Sequence, residues 1–259
     1  MNEQLVSALA YANSALFEGF IVFLRVGAAM ALLPAFGEQS IPVRVRIALT
    51  IAFSLVVTPA VSSDLDEVTA VDRVLAPYLI AEPMIGLVFG LILRLFVIAL
   101  QIAGTIIAQA TSLAQLFGGS TGEPQPAVGH LLIMGGLALA VMSGLHVDIA
   151  RALIETYQIF PPGHVPVAAD VRSWGLDGVV HSFALAFSLA APFVVAALVY
   201  NVALGAINRA MPQLMVAFVG APALTAGGLV VLAIAIPTAL LIWHGALQDV
   251  MAQPFRVTQ

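Results

Sequence analysis

Long runs of hydrophobic residues dominate the chain, and polar positions are mostly confined to short breaks between them. A helix that crosses the roughly 30 Å hydrocarbon core of a bilayer needs about 20 mostly apolar residues. The runs are far longer than the roughly ten residues of a transmembrane barrel strand, and they lack its in–out alternation. The pattern therefore predicts an all-α, polytopic, membrane-associated protein. We expect about six hydrophobic segments, at residues 14–36, 47–61, 74–103, 127–149, 179–204 and 214–246.

Proline and glycine recur inside these runs, for example at Pro59, Pro83 and Pro192. Such residues are tolerated in membrane helices when neighbouring helices satisfy the freed backbone groups. They predict broken helices and helical hairpins rather than straight rods. Gly86 and Gly90 form a GxxxG pair, which predicts one close helix–helix contact.

The third run changes character near its end. Uncharged polar residues, among them Gln101, Thr105 and Gln109, replace part of the apolar pattern, and the sequence FGGSTGEPQP follows. Such a stretch suits backbone that faces protein or a water-filled cavity. We predict an internal or re-entrant loop over residues 104–126. The alternative is a plain connection between the third and fourth segments.

The composition supports the membrane class. Hydrophobic residues make up 61% and charged residues only 9%, against ordinary values of roughly 45–50% and about 25%. These values exclude an ordinary soluble domain, a disordered chain and a nucleic-acid binder with a basic face. Cysteine is absent from the sequence, which excludes disulfides, thiolate metal sites and cysteine nucleophiles.

No motif indicates catalysis. The five histidines lack metal-ligand spacing, and the sequence contains no GxSxG, HExxH or P-loop pattern. We therefore expect no enzyme activity, no cofactor and no metal site.

Ionisable residues inside the apolar runs are the candidate special positions. Glu18 and Arg25 are seven residues apart and share one helix face. A charge within a span costs a few kcal/mol, so it usually faces a partner or a cavity. An ion pair that fixes helix packing and a proton relay or pore lining both remain open. Glu82 and Arg94 are too far apart to pair with each other, so we expect them to pair with other helices or chains.

Two segments carry a specific order of residues. The first is FLRVGAAMALLPAFGEQSIPVRVRIALTIAFS, residues 23–54, and the second is YNVALGAINRAMPQLMVAFVGAP, residues 200–222. Between them, Glu82 with IGLVFG and the later LQIAG and SLAQLF follow in the same order. Together these marks resemble the flagellar biosynthetic protein FliR family, whose relatives serve virulence type III secretion systems.

The resemblance implies a non-enzymatic subunit of the flagellar type III protein export gate, in the inner membrane at the flagellar basal body. It implies one membrane-associated helical domain over residues 1–259, present as one copy in a hetero-oligomer. The implied partners are the export proteins FliP and FliQ, together with FlhB and FlhA, exported unfolded flagellar proteins and membrane lipid. No cofactor and no nucleic acid are implied.

The resemblance also implies a plug-like loop at residues 106–126 that helps to close the channel. Its apolar and glycine positions would be Leu113, Leu116, Phe117, Gly118 and Gly119. Subunit contacts or buried charge are expected at Glu18, Arg25, Arg44, Arg46, Glu82 and Arg209. Two alternative functions stay open. One is the equivalent subunit of a virulence secretion system, and the other is an ion- or proton-coupled secondary transporter using Glu18, Glu82 and the buried arginine residues.

Overall fold

The computed structural model describes residues 2–69, 75–112, 127–211 and 216–255. Within these ranges the chain consists of helices and short connections, without a strand. The seven helices are α1 (Asn2–Met30), α2 (Val43–Thr69), α3 (Ala76–Ser112), α4 (Ala127–Met142), α5 (Leu145–Ile159), α6 (Ala168–Ala210) and α7 (Val216–Ala252). The predicted all-α class is confirmed.

Five of the described helices are long and apolar enough to cross a membrane. A sixth span is added if α4 and α5 are counted together as one broken span. The expectation of about six hydrophobic segments is therefore confirmed, and the chain has the helices of a multi-pass membrane protein.

Several helix boundaries differ from the predicted ones. The fourth segment, predicted as one run over 127–149, is interrupted at Gly144, whose φ of 95° is left-handed and suits a residue without a Cβ. By contrast, Pro59, Pro83 and Pro192 lie inside continuous helices. A proline removes only one backbone hydrogen bond from its helix, and groups on neighbouring helices can satisfy the carbonyl oxygen that is left free.

The predicted loop over residues 104–126 begins too early, because residues 104–112 continue α3. Ala103, Ile107 and Ala108 are buried there, so the apolar side of the helix persists at helical spacing. The polar residues that suggested a loop occupy the other side of the same helix. The same correction applies to residues 106–112 of the plug-like loop, and residues 113–126 lie outside the described part of the chain.

Residue contacts divide the chain into two compact units. Unit 1 contains residues 1–95, 141–178 and 248–259, and unit 2 contains residues 96–140 and 179–247. The single domain predicted over residues 1–259 stays a prediction.

In unit 1, α2 packs against both α1 and α5. The α1–α3 contact is backbone to backbone, because a Cβ on Gly86 would overlap the carbonyl oxygen of Arg25. A Cβ on Gly90 would lie 2.8 Å from the carbonyl oxygen of Ala29. The close contact predicted from the GxxxG pair is therefore confirmed.

In unit 2, the fully buried Trp243 of α7 is the centre of the packing. Its indole Nε1 donates a hydrogen bond of 2.8 Å to the carbonyl oxygen of Phe96 in α3. A Cβ on Gly136 of α4 would lie 3.2 Å from the indole ring. A second glycine contact joins α3 and α4, since a Cβ on Gly104 would overlap the backbone of Gly129.

Candidate functional site

Two fully buried, oppositely charged side chains meet between α1 and α3 in unit 1. Arg25 Nε lies 2.7 Å from Glu82 Oε2, and both side chains have no solvent exposure. The two helices can approach at this level because Gly86, one turn after Glu82, leaves room for the backbone of α1. We call this ion pair and the groups that bond to it the charge cluster.

Each nitrogen of the Arg25 guanidinium has its own partner. Nε contacts Glu82, Nη1 donates to Thr156 Oγ1 over 3.0 Å, and Nη2 donates to the carbonyl oxygen of Phe160 over 3.1 Å. Arginine suits this position because its planar fork presents donors in fixed directions and stays charged when buried. One side chain of α1 is thereby bonded to α3, to α5 and to the residue that follows α5.

The face of the guanidinium is covered as well. Arg25 Cζ lies 3.6 Å from the ring centroid of Tyr157, which is the residue after Thr156 on α5. A cation over an aromatic face is worth about 2 kcal/mol when both groups are desolvated.

Glu82 uses its second oxygen to hold the connection between α5 and α6. Its Oε1 accepts a hydrogen bond of 2.9 Å from the backbone nitrogen of Gly163. Gly163 has a φ of 77°, and a Cβ there would lie 3.1 Å from the ring of Tyr78. Both the backbone conformation and the space at this position therefore favour glycine.

An aromatic cluster lies beside the charge cluster and shares Phe160 with it. The Phe160 ring is 4.9 Å from the ring of Phe255 and 5.5 Å from that of Trp174, measured between centroids. Trp174 and Phe255 are 5.1 Å apart, and their rings meet edge to face. These pairs add to the apolar burial that holds the start of α6 and the segment after α7 in unit 1.

The chemistry available to the charge cluster is structural. Its charges neutralise each other, and both glutamate oxygens and all three guanidinium nitrogens are engaged. Among the described residues, no group of three or more His, Asp or Glu side chains could hold a metal ion. The cluster therefore fixes helices and a loop in place.

A second ion pair joins α3 to the turn between α1 and α2. Arg94 Nη1 lies 2.5 Å from Glu38 Oε1, and about a fifth of each side chain is exposed. The backbone oxygen of Glu38 also accepts a hydrogen bond of 3.1 Å from Arg46 Nη2. A partly exposed pair of this kind contributes up to about 1 kcal/mol.

The structure thus resolves the pairings left open by the sequence. Arg25 pairs with Glu82 of another helix, and Glu18, two turns earlier, accepts a 2.9 Å hydrogen bond from Ser14. Glu82 pairs with another helix, as expected, through Arg25. Arg94 instead pairs with Glu38, which lies in the turn between α1 and α2 and not in a helix.

The remaining predicted site residues are spread over the chain. Arg44 and Arg209 are exposed, and Arg46 is half-buried. The predicted plug residues lie outside the described residues: Leu113, Leu116, Phe117, Gly118 and Gly119.

Sequence reasoning missed the α5 side of the charge cluster. Thr156 and Tyr157 sit in an ordinary amphipathic helix, and nothing in their spacing indicates a buried cation. The only available signal was the PPG sequence ending at Gly163, which marks a tight turn.

Comparison with known proteins places the chain in a family. The model of "Bacterial export proteins, family 1" matches residues 16–250. The chain belongs to this family. It is 33% identical over 233 residues to the flagellar biosynthetic protein FliR of Caulobacter vibrioides, covering 89% of this chain and 93% of that relative.

More distant relatives in the family bear the same name. The FliR protein of Aquifex aeolicus is 29% identical over 229 residues, covering 88% of each chain. The FliR protein of Bacillus subtilis is 27% identical over 218 residues, covering 80% of this chain and 82% of that one. The resemblance drawn from the sequence is therefore confirmed.

Proposed function

We propose that this chain is a non-enzymatic subunit of the flagellar type III protein export gate, where it helps to form the channel for unfolded flagellar proteins in the bacterial inner membrane. The observation that carries the proposal is the family match over residues 16–250. The chain also matches most of the length of relatives that are named for flagellar biosynthesis. The span-length helices support a membrane location.

The outward faces of α6 and α7 support a role inside an assembly. Val195, Leu198 and Val199 are each about three-fifths exposed, and only 6% of the most apolar window of α7 is buried within the chain. Lipid can cover such faces, and helices of sister subunits can cover them equally well. Apolar faces of this extent are what a subunit packed among other membrane helices would present.

The family resemblance supplies the proposed partners, FliP, FliQ, FlhB and FlhA, in a hetero-oligomer that holds one copy of this chain. Arg44, Arg46 and Arg209 are the proposed polar contacts, and the two exposed ones are free to reach a sister subunit. Replacing each by alanine should lower co-purification with FliP and FliQ, whereas Arg172→Ala, also at an exposed arginine, should not. Complexes recovered at normal yield from all three variants would place the contacts elsewhere.

The decisive experiment for the proposed function is deletion of the gene in its host. Export of flagellar proteins and assembly of filaments should both stop, and a plasmid copy of the gene should restore them. Normal filaments in the deletion strain would contradict the proposal. If filaments stay normal while secretion of virulence proteins stops, the chain is the equivalent subunit of a virulence secretion system.

The alternative of an ion-coupled secondary transporter loses support at Glu82. Its carboxylate is fully buried and bonded to both Arg25 and Gly163, so it does not face a path for ions. Transport of a solute by the purified chain alone in liposomes would reverse this conclusion.

A further inference from the structure

Three uncharged polar side chains form one exposed row on α3. Gln101, Thr105 and Gln109 are spaced four residues apart, so they lie on one side of the helix, and all three are exposed. The Thr105 hydroxyl donates a 2.9 Å hydrogen bond to the backbone oxygen of Gln101. We call these three residues the polar row.

The direction of the polar row is fixed by the packing of α3 within unit 2. Ala103, Gly104 and Ala108 are buried on another side of the helix, and Gly104 lies directly against the backbone of Gly129 in α4. The helix cannot rotate to bury the row without losing this glycine contact.

Elsewhere in unit 2 the exposed polar side chains are scattered, for example His130, Asn208 and Arg209, and large apolar side chains are exposed between them. Val199 and Val202 on α6 and Leu229 and Ile234 on α7 are each about three-fifths or more exposed. The polar row is therefore a local exception on a helix that is long and apolar enough to span a membrane.

The Thr105 hydroxyl already has a partner in the Gln101 carbonyl, but glutamine amides are costly in hydrocarbon without partners. Gln101 and Gln109 therefore indicate that the row faces water or protein rather than lipid.

We infer that the polar row lines the water-filled path of the exported chain and hydrogen-bonds to the peptide backbone of the unfolded polypeptide. The inference rests on the proposed function and names the surface on which that function acts. A glutamine amide both donates and accepts hydrogen bonds, and a threonine hydroxyl does the same. Every peptide unit offers an acceptor, and all but those of proline also offer a donor, so these side chains can contact a segment of any sequence.

The three side chains of the polar row are all uncharged, which matters for the kind of polypeptide that they can contact. A fixed charge in a confined path attracts segments of the opposite sign and repels those of its own sign. Neutral amides and hydroxyls avoid both effects, which suits a surface that must let chemically varied polypeptides slide past.

The chain offers a clean test because it contains no cysteine. We would introduce Thr105→Cys alone and treat membranes containing the assembled export complex with a charged, water-soluble maleimide. Val199→Cys is the control for an exposed apolar position, and Ala108→Cys is the control for a buried one. Gln109→Cys provides a second reporter on the row if the first variant fails to assemble.

Cysteine on the polar row should react at least about tenfold faster than either control, because the reactive thiolate forms in water. A flagellar export substrate fused to a stably folded domain, which stalls during export, should then slow the reaction at the row and leave Val199→Cys unchanged. With an added oxidant such as copper phenanthroline to accept the two electrons, disulfide formation between Thr105→Cys and a single cysteine in the stalled segment would identify the contact directly.

Reaction at the row no faster than at Val199→Cys would overturn the inference, because the row would then be covered by a sister subunit or by lipid. Fast reaction that the stalled substrate leaves unchanged would also overturn it, since the water at the row would not belong to the export path. The proposed function is judged separately by the deletion strain. If export stops there while the row fails these tests, only the inference is lost.

Discussion

At the scale of single residues, Arg25 has the largest number of partners among the described side chains of the candidate site. It bonds to a carboxylate, a hydroxyl and a backbone carbonyl, and its face is stacked on Tyr157. Removing one member of a buried ion pair leaves the other charge without compensation, which is far more costly than removing both.

This asymmetry gives the first prediction. Arg25→Met and Glu82→Gln should each lower the free energy of unfolding by about 3–5 kcal/mol. The double variant should lose clearly less than the sum of the two. The measurement is thermal unfolding of the detergent-solubilised complex, arranged as a double-mutant cycle.

Arg172→Met serves as the control, because that side chain is exposed and is not one of the proposed subunit contacts. Losses that simply add in the double variant would show that Arg25 and Glu82 do not interact energetically.

At the scale of helices, glycines decide where backbones meet. Gly86 and Gly19 occupy similar positions inside long helices, but only Gly86 lies against another backbone. Gly86→Ala should separate α1 from α3 and weaken the charge cluster, with a loss of stability in the range of about 1–3 kcal/mol expected for overpacking. Gly19→Ala should be neutral or slightly stabilising, since nothing lies within 4 Å and alanine favours the helix.

Thermal unfolding of the two glycine variants, measured side by side, tests the contact. Equal stability of Gly86→Ala and Gly19→Ala would mean that the α1–α3 approach is not tight.

The break between α4 and α5 depends on backbone conformation rather than space. Gly144 has a φ of 95°, and no atom lies within 4 Å of the position that a Cβ would take. Gly144→Ala should cost about 1–2 kcal/mol through left-handed strain. Gly175→Ala, also in open space but inside a helix, should cost nothing.

The comparison uses the same unfolding assay for both variants. An unchanged thermal unfolding midpoint for Gly144→Ala would indicate that residue 144 can adopt a right-handed backbone conformation at the break between α4 and α5.

The helices themselves were predictable because a hydrophobic run long enough to span a bilayer has few other solutions. The contacts between particular helices could not be predicted in this way. Arg25 and Glu82 stood out as charges in apolar runs, but two of their partners are the backbone groups of Phe160 and Gly163, which every residue type offers. The prediction of a loop from residue 104 was wrong for a related reason. Polar residues indicate that a stretch is exposed, but an exposed helix face carries such residues as readily as a loop does.

At the scale of the whole molecule, the proposed gate must hold back ions while closed. Apolar side chains on a glycine-rich backbone can exclude water and still yield to a passing chain. Deleting residues 110–120, which include Leu116 and Phe117 of the predicted plug, should therefore make cells leak small ions. The measurement is ion efflux from cells that assemble the variant complex at normal yield.

Replacing residues 110–120 by a glycine and serine segment of the same length controls for damage caused by shortening the chain, and it should also make cells leak because the apolar side chains are lost. Unchanged permeability of the plug deletion in an intact assembly would remove the plug role from these residues.

The long sequence separation within the charge cluster has a consequence for biogenesis. Arg25 precedes Glu82 by 57 residues and Phe160 by 135. At bacterial elongation rates the first interval lasts roughly 3–11 s. During that time the Arg25 charge on the nascent α1 lacks its counter-ion, at a cost of about 2.5–3.5 kcal/mol if it lies at the centre of the bilayer. Synthesis of α3 supplies Glu82 and removes this cost, so the third helix stabilises the insertion of the first.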